Sequence, residues 1–127
     1  MRLLVDTHVA IWLVTEPERI PAEVTGLLVD GANEVFVSAA TIWEIAIKRP
    51  LKRADVPPFS AQQAIDEFRS AGLTVLDVTA AHAATVEALP LHHFDPFDRL
   101  IVAQFEPMRL VTHDALLAKY EPSAILF

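Results

Sequence analysis

Short apolar runs that stop beside an acidic or hydroxyl residue, and that alternate with helical segments, constrain this chain most. Arg2-Leu3-Leu4-Val5 stops at Asp6, Glu34-Val35-Phe36-Val37 stops at Ser38, and Arg109-Leu110-Val111-Thr112 lies just ahead of Asp114. Continuous apolar runs of this length suit strands of a parallel sheet that is covered on both faces. Leu73-Thr74-Val75-Leu76 reads as a further strand and Ala124 to Phe127 as the last. Helices are predicted between them over 8–14, 21–29, 39–48, 61–71, 79–89, from Pro96 onward, and over 114–120. Local punctuation supports these limits. Pro21 stands at a first turn and Gly31 beyond an end, and Gly72 closes the fourth helix. Ser60-Ala61-Gln62-Gln63 is a capping-box pattern, and Asp95-Pro96 pairs an N-cap with proline at the first helical position. Phe97, Leu100, Ile101 and Gln104 then share one side of that helix. The stretch 49–58 holds three prolines and four charges. It reads as a loop, the one place where disorder enters. The alternation predicts a three-layer α/β/α fold with a central, mainly parallel sheet, and ligands at the carboxyl edge of its strands. The 127 residues, 53% of them hydrophobic, suit a single domain over 1–127 with a sizeable core.

The acids fall on that edge. Asp6 ends the first strand and Asp114 follows the fourth. Glu44 lies in the second turn of the helix after the second strand, and Asp98 in the first turn of the helix before the fourth. Converging carboxylates repel, and hard cations with a preference for oxygen, Mg²⁺ or Mn²⁺, offset that cost. Such ions assist attack on a phosphodiester without a nucleophilic side chain, and no side chain here has an activating motif. Each acid also has a structural reading. Asp6, Asp95 and Asp114 can cap helices, Glu44 can answer Thr41 in a capping box, and Asp98 can favour the positive end of its helix. Spacing alone leaves both readings open.

The net charge of −7 stands against a grip on nucleic acid, which a basic surface favours. Two facts soften it. Metal-binding carboxylates carry cation in use, and Lys48, Arg49, Lys52 and Arg53 fall within six positions. The chain has no cysteine, which removes thiolate metal sites and disulfides. No signal peptide and no stretch of about 20 apolar residues is visible, so a cytoplasmic protein is expected.

Four segments then resemble a known family in their order along the chain. They are Leu3-Leu4-Val5-Asp6-Thr7-His8, Ser38-Ala39-Ala40-Thr41-Ile42-Trp43-Glu44-Ile45, the run from His92-His93-Phe94-Asp95-Pro96-Phe97-Asp98 to Gln104, and Leu110-Val111-Thr112-His113-Asp114. The chain resembles PIN-domain ribonucleases, and above all toxins of the VapC type from bacterial toxin–antitoxin pairs. The run from His92 to Gln104 is the most specific part. The resemblance implies a PIN fold and Mg²⁺- or Mn²⁺-dependent endoribonuclease activity on RNA. It carries over Asp6, Glu44 and Asp98 as catalytic, metal-binding acids, with Asp114 as the fourth and Thr112 as a supporting hydroxyl. Asp95 ranks as cap first and metal neighbour second. A homodimer restrained by a small cognate antitoxin is also implied. Between Gln104 and Leu110 the chain departs from its relatives, which commonly have a longer stretch with a glycine. Pro107 is expected to end the helix early and could shift Asp114.

Other features have competing readings. The basic cluster could steer RNA or form a solvated loop. Arg99 could face phosphate or pair with an acid. Adjacent residues His92 and His93 are a weak ligand signal, and a structural or surface role is favoured. His8 and His113 are expected to serve backbone groups, and Trp12 and Trp43 to serve a core or dimer interface. Three alternatives remain. A receiver-like phosphorelay domain would need paired acids where Asp6 is followed by Thr7-His8. A phosphatase with an aspartyl nucleophile would need an acid in place of His8. A non-catalytic PIN-like module would bind RNA or protein without cutting.

Overall fold

The computed structural model describes residues 1–52 and 57–127, so Arg53 of the basic cluster and the centre of the expected loop lie outside the described residues. Five strands, β1 (Arg2–Val5), β2 (Glu34–Ser38), β3 (Thr74–Leu76), β4 (Arg109–Thr112) and β5 (Ile125–Leu126), form one sheet in the order β3-β2-β1-β4-β5. Every pairing is parallel, with Leu4 opposite Phe36 on one side and Leu110 on the other. The successive strands β1, β2 and β3 grow outward in one direction, and β4 then returns to the other side of β1. That reversal opens a crevice at the carboxyl ends of β1 and β4.

Among the described residues seven helices cover the sheet: α1 (Thr7–Thr15), α2 (Ala22–Val29), α3 (Ala39–Lys48), α4 (Ala61–Ser70), α5 (Ala80–Thr85), α6 (Pro96–Ala103) and α7 (Ala115–Ala118). The two-residue period of the strands divides the core. Leu3, Val5, Val35, Val37 and Val111 point to one side, where Val9, Leu28 and Phe68 of α1, α2 and α4 pack on them. Leu4, Phe36 and Leu110 point to the other, against Ile101 and Val102 of α6 and Leu117 of α7. Each such fully buried side chain contributes about 1.5–3 kcal/mol.

Most local expectations hold. Ser60 and Gln63 complete a capping box. Gly72 has φ +88°, its N–H bonds to the Arg69 carbonyl, and the Leu73 N–H reaches Phe68, so α4 ends in a glycine-dependent Schellman motif. Two elements differ. The helix capped by Thr79 tightens into a 3₁₀ turn over Val86–Ala88, and another 3₁₀ turn, Arg49–Leu51, starts the expected loop. Among the described residues no helix is long and apolar enough to cross a membrane.

Arg99 takes neither expected direction. Its guanidinium is buried and donates to the carbonyls of Pro90 (2.9 Å) and Val86 (3.0 Å) and to the Tyr120 hydroxyl (3.1 Å). It ties the segment before α6 onto that helix. Replacing it with leucine removes these hydrogen bonds, and hydrogen bonds to charged groups are worth about 1.5–3 kcal/mol each. The Arg99→Leu protein should therefore melt well below wild type in calorimetry. An unchanged melting temperature would contradict the role assigned to this side chain.

Candidate active site

Asp6 occupies the turn from β1 into α1. Its carboxylate accepts the Val9 N–H at 2.9 Å, as an N-cap does, and also accepts the Thr112 hydroxyl at the end of β4. The Thr112 oxygen in turn accepts the Asp114 N–H at 2.9 Å. One hydroxyl thus links the ends of two adjacent strands and both of their acids. Burial pushes the Asp6 carboxyl up; the hydrogen bonds from Thr112 and Val9 and the nearby His8 pull the other way.

Glu44 lies on α3, yet its partners come from α1. The Thr7 hydroxyl donates to Glu44 Oε1 at 3.0 Å, and Thr41 Oγ1 lies 3.0 Å from that hydroxyl, so Thr41 donates to Thr7. Lys48 Nζ meets Glu44 Oε2 at 2.5 Å, one turn along α3. The capping-box reading of Thr41 and Glu44 is corrected here, because Ser38 caps α3 and Thr41 turns inward to Thr7.

Asp98 stands in the first turn of α6, where Asp95 is the N-cap and accepts from Phe97 and Asp98 N–H groups. Its carboxyl is pushed from the ordinary 3.8 to about 8, first by burial and then by the negative charges of Asp95, Glu44, Asp6 and Asp114. The other three acids singled out in the sequence therefore all act on Asp98. Asp95 joins them electrostatically while capping its helix. The helix α6 does end before Pro107, at Ala103, yet Asp114 still falls within electrostatic reach of Asp98. Asp114 also caps α7 through the Leu116 N–H at 2.8 Å.

The donor set is all oxygen, which suits a hard divalent cation. Among the described residues no three His, Asp or Glu side chains form a preassembled cage. Mg²⁺ tolerates this, since it is held through one or two carboxylates and keeps several waters. The residues fit such an ion. Beside the acids lies a groove of about 530 Å³, bounded by Thr7, His8, Trp12, Arg19, Glu44 and Lys48. Of the four acids only Glu44 lines it.

Several polar pairings escaped the sequence reading. Thr7 and Thr41 are one pair. Ser38 and Gln104 are another: the Ser38 hydroxyl donates to Gln104 Oε1 at 2.5 Å, and Gln104 Nε2 reaches the Asp77 carbonyl at 3.2 Å. The glutamine thereby joins the ends of β2 and β3. Its position on the apolar side of α6 was the available signal. His93 is turned inward against Tyr120 and Asp98, while His92 is exposed and packs on the Tyr120 ring. His113 bonds to the Phe127 carbonyl, a backbone partner as expected, and the His8 ring rests on Trp12. Trp12 is core, but Trp43 is 53% exposed with its edge on Phe97.

The sequence matches the PIN-domain family over residues 3–121. The chain belongs to that family. It is 34% identical to Ribonuclease VapC22 of Mycobacterium tuberculosis over 124 residues, 93% of this PIN-domain chain and 91% of the relative. Ribonuclease VapC16 of the same organism is 37% identical over 62 residues, 49% of this chain and 44% of that one. The fold is shared with VapBC2 from Rickettsia felis, solved bound to a promoter DNA fragment, with a TM-score of 0.70 at 19% identity; the match covers 100% of this chain and 98% of that one. VapBC-1 of nontypeable Haemophilus influenzae aligns with a TM-score of 0.63 at 16% identity, over 100% and 97% of the two chains.

Proposed function

We propose that residues 1–127 form a single PIN domain that works as a divalent-metal-dependent endoribonuclease, the toxin of a VapBC-type pair. The observation that carries this reading is the gathering of Asp6, Glu44 and Asp114 around Asp98 at the carboxyl edge of the sheet, with the Thr112 hydroxyl joining Asp6 to the Asp114 N–H. A ribonuclease relative that aligns along nearly its whole length supports it. Asp6, Glu44 and Asp98 would hold Mg²⁺ or Mn²⁺, and Asp114 would complete the site. Bound there, the ion supplies Lewis acidity toward a phosphodiester and lowers the pKa of water.

The chain's own residues prepare that site. Thr112 and the Val9 N–H fix the Asp6 carboxylate, and Thr7 and Lys48 fix that of Glu44. Asp98 holds its proton up to about pH 8 while no cation offsets its neighbours. Arg49 and Lys52, just beyond the end of α3, supply positive charge to draw an RNA backbone toward the acids.

A small antitoxin is the proposed restraining partner, in keeping with the paired assemblies named among the structural neighbours. A cytoplasmic homodimer is the proposed form. Trp43 and Ile47 of α3 and Leu51 of the 3₁₀ turn that follows recur every four residues and are exposed, an apolar stripe suited to self-association. Trp43→Lys should convert a dimer to a monomer in light scattering, and a variant that stays dimeric would move the interface elsewhere. The activity is tested with purified protein and a mixed pool of structured and single-stranded RNAs. Cutting is expected with Mg²⁺ or Mn²⁺ and none with EDTA. Metal binding without cutting of any RNA in the pool would favour a non-catalytic binding module instead.

A further inference from the structure

The segment ahead of α6 carries a buried polar relay that ends on Asp98. Tyr120 accepts a hydrogen bond from Arg99 Nη1 at 3.1 Å, and a guanidinium can only donate. The phenolic proton is then free for His93 Nδ1, which lies 2.8 Å away. A histidine that accepts at Nδ1 carries its proton on Nε2. That Nε2 is buried and has no hydrogen-bond partner, and it faces Asp98 Oδ2 at 3.5 Å. The His93 side chain is only 10% exposed and that of Asp98 19%, so water does not readily take the carboxylate's place. A buried N–H with no acceptor is costly, and a short closing of this gap would remove the cost. Arg99 is itself anchored on the Val86 and Pro90 carbonyls, so the relay is tied to the frame at its far end.

We propose that His93, with its tautomer set by Tyr120, is the positioning residue of Asp98: its Nε2–H holds Oδ2 and so orients the carboxylate toward the divalent cation. The inference rests on the metal-site reading above. His93 does not touch substrate or metal. It acts through Asp98, as partners of ligating side chains commonly do.

The test compares Mn²⁺ binding by calorimetry in wild type, His93→Leu, His93→Gln and Tyr120→Phe, beside ring ¹⁵N spectra of His93 in the metal-free wild-type protein at pH 8. Leucine removes the donor and should weaken Mn²⁺ binding about 10-fold to 100-fold, the usual cost of losing such a partner. Glutamine places an N–H where Nε2 stood and should restore most of that loss; a role in packing alone would not distinguish the two. Tyr120→Phe frees the tautomer and should give a smaller loss. The spectra should show the Nε2–H form. Unchanged Mn²⁺ binding in His93→Leu, equal losses in the leucine and glutamine variants, or an Nδ1–H ring would overturn the inference and leave the metal site standing. A wild-type protein that binds no Mn²⁺ would overturn the metal site itself, and the role of His93 with it.

Discussion

Asp6→Asn should abolish metal-dependent RNA cleavage while leaving the fold intact. The amide keeps an oxygen for the Val9 N–H, so the cap on α1 survives. It removes a charge that burial already disfavours, so the melting temperature should hold or rise. The loss falls on catalysis. Lewis-acid stabilisation of a phosphodiester is worth several kcal/mol, and each about 1.4 kcal/mol is tenfold in rate, so a drop of about 10³-fold is expected. Cleavage rates and calorimetric melting on the same preparation separate the two effects. Activity within tenfold of wild type would remove Asp6 from the metal site.

Without divalent ions, the protein should lose stability as pH rises from about 4 to about 8. The sign follows from Asp98, whose carboxyl titrates at about 8 in the folded chain against 3.8 ordinarily. The folded state therefore binds more protons than the unfolded state between those values, and stability falls with pH across the window. The contribution is fully present below the lower value and lost above the upper one. Burial of Asp6 acts in the same direction. Each pH unit that separates the folded from the unfolded titration corresponds to about 1.4 kcal/mol, so the total is on the order of several kcal/mol. Mn²⁺ binds the ionised carboxylates and should stabilise most at the alkaline end, flattening the profile. Melting curves in EDTA and in Mn²⁺ at several pH values read this directly, with Asp98→Asn as the control that loses most of the slope. A midpoint in EDTA that stays level or climbs from pH 5 to pH 8 would mean that the carboxylates do not crowd one another as described.

Asp6 and Asp98 could both be placed from the sequence, but their surroundings could not. The strands, their parallel pairing and the acids at their carboxyl ends were legible, because a short apolar run forces burial on both faces and a parallel sheet gathers its strand ends at one edge. The caps at Asp6, Ser60, Asp95 and Asp114 were legible too, since a cap joins groups two or three residues apart. Asp95 is both cap and neighbour to the acids, in the order that its sequence context suggested.

What the sequence determined by itself is thus whatever backbone spacing imposes: the element order, the caps, and the edge on which Asp6, Glu44, Asp98 and Asp114 lie. The tertiary structure alone decided which of those groups meet. Thr7 reaches Glu44 across 37 positions and Thr112 reaches Asp6 across 106. Arg99 turned to carbonyls and His93 toward Asp98, where sequence offered no direction for the first and no partner for the second. Such pairs depend on the order β3-β2-β1-β4-β5 and on how each helix rolls on the sheet. The apolar pattern restricts that roll to a face, whereas a hydrogen bond needs a position set to a few tenths of an ångström, which only the packed core supplies.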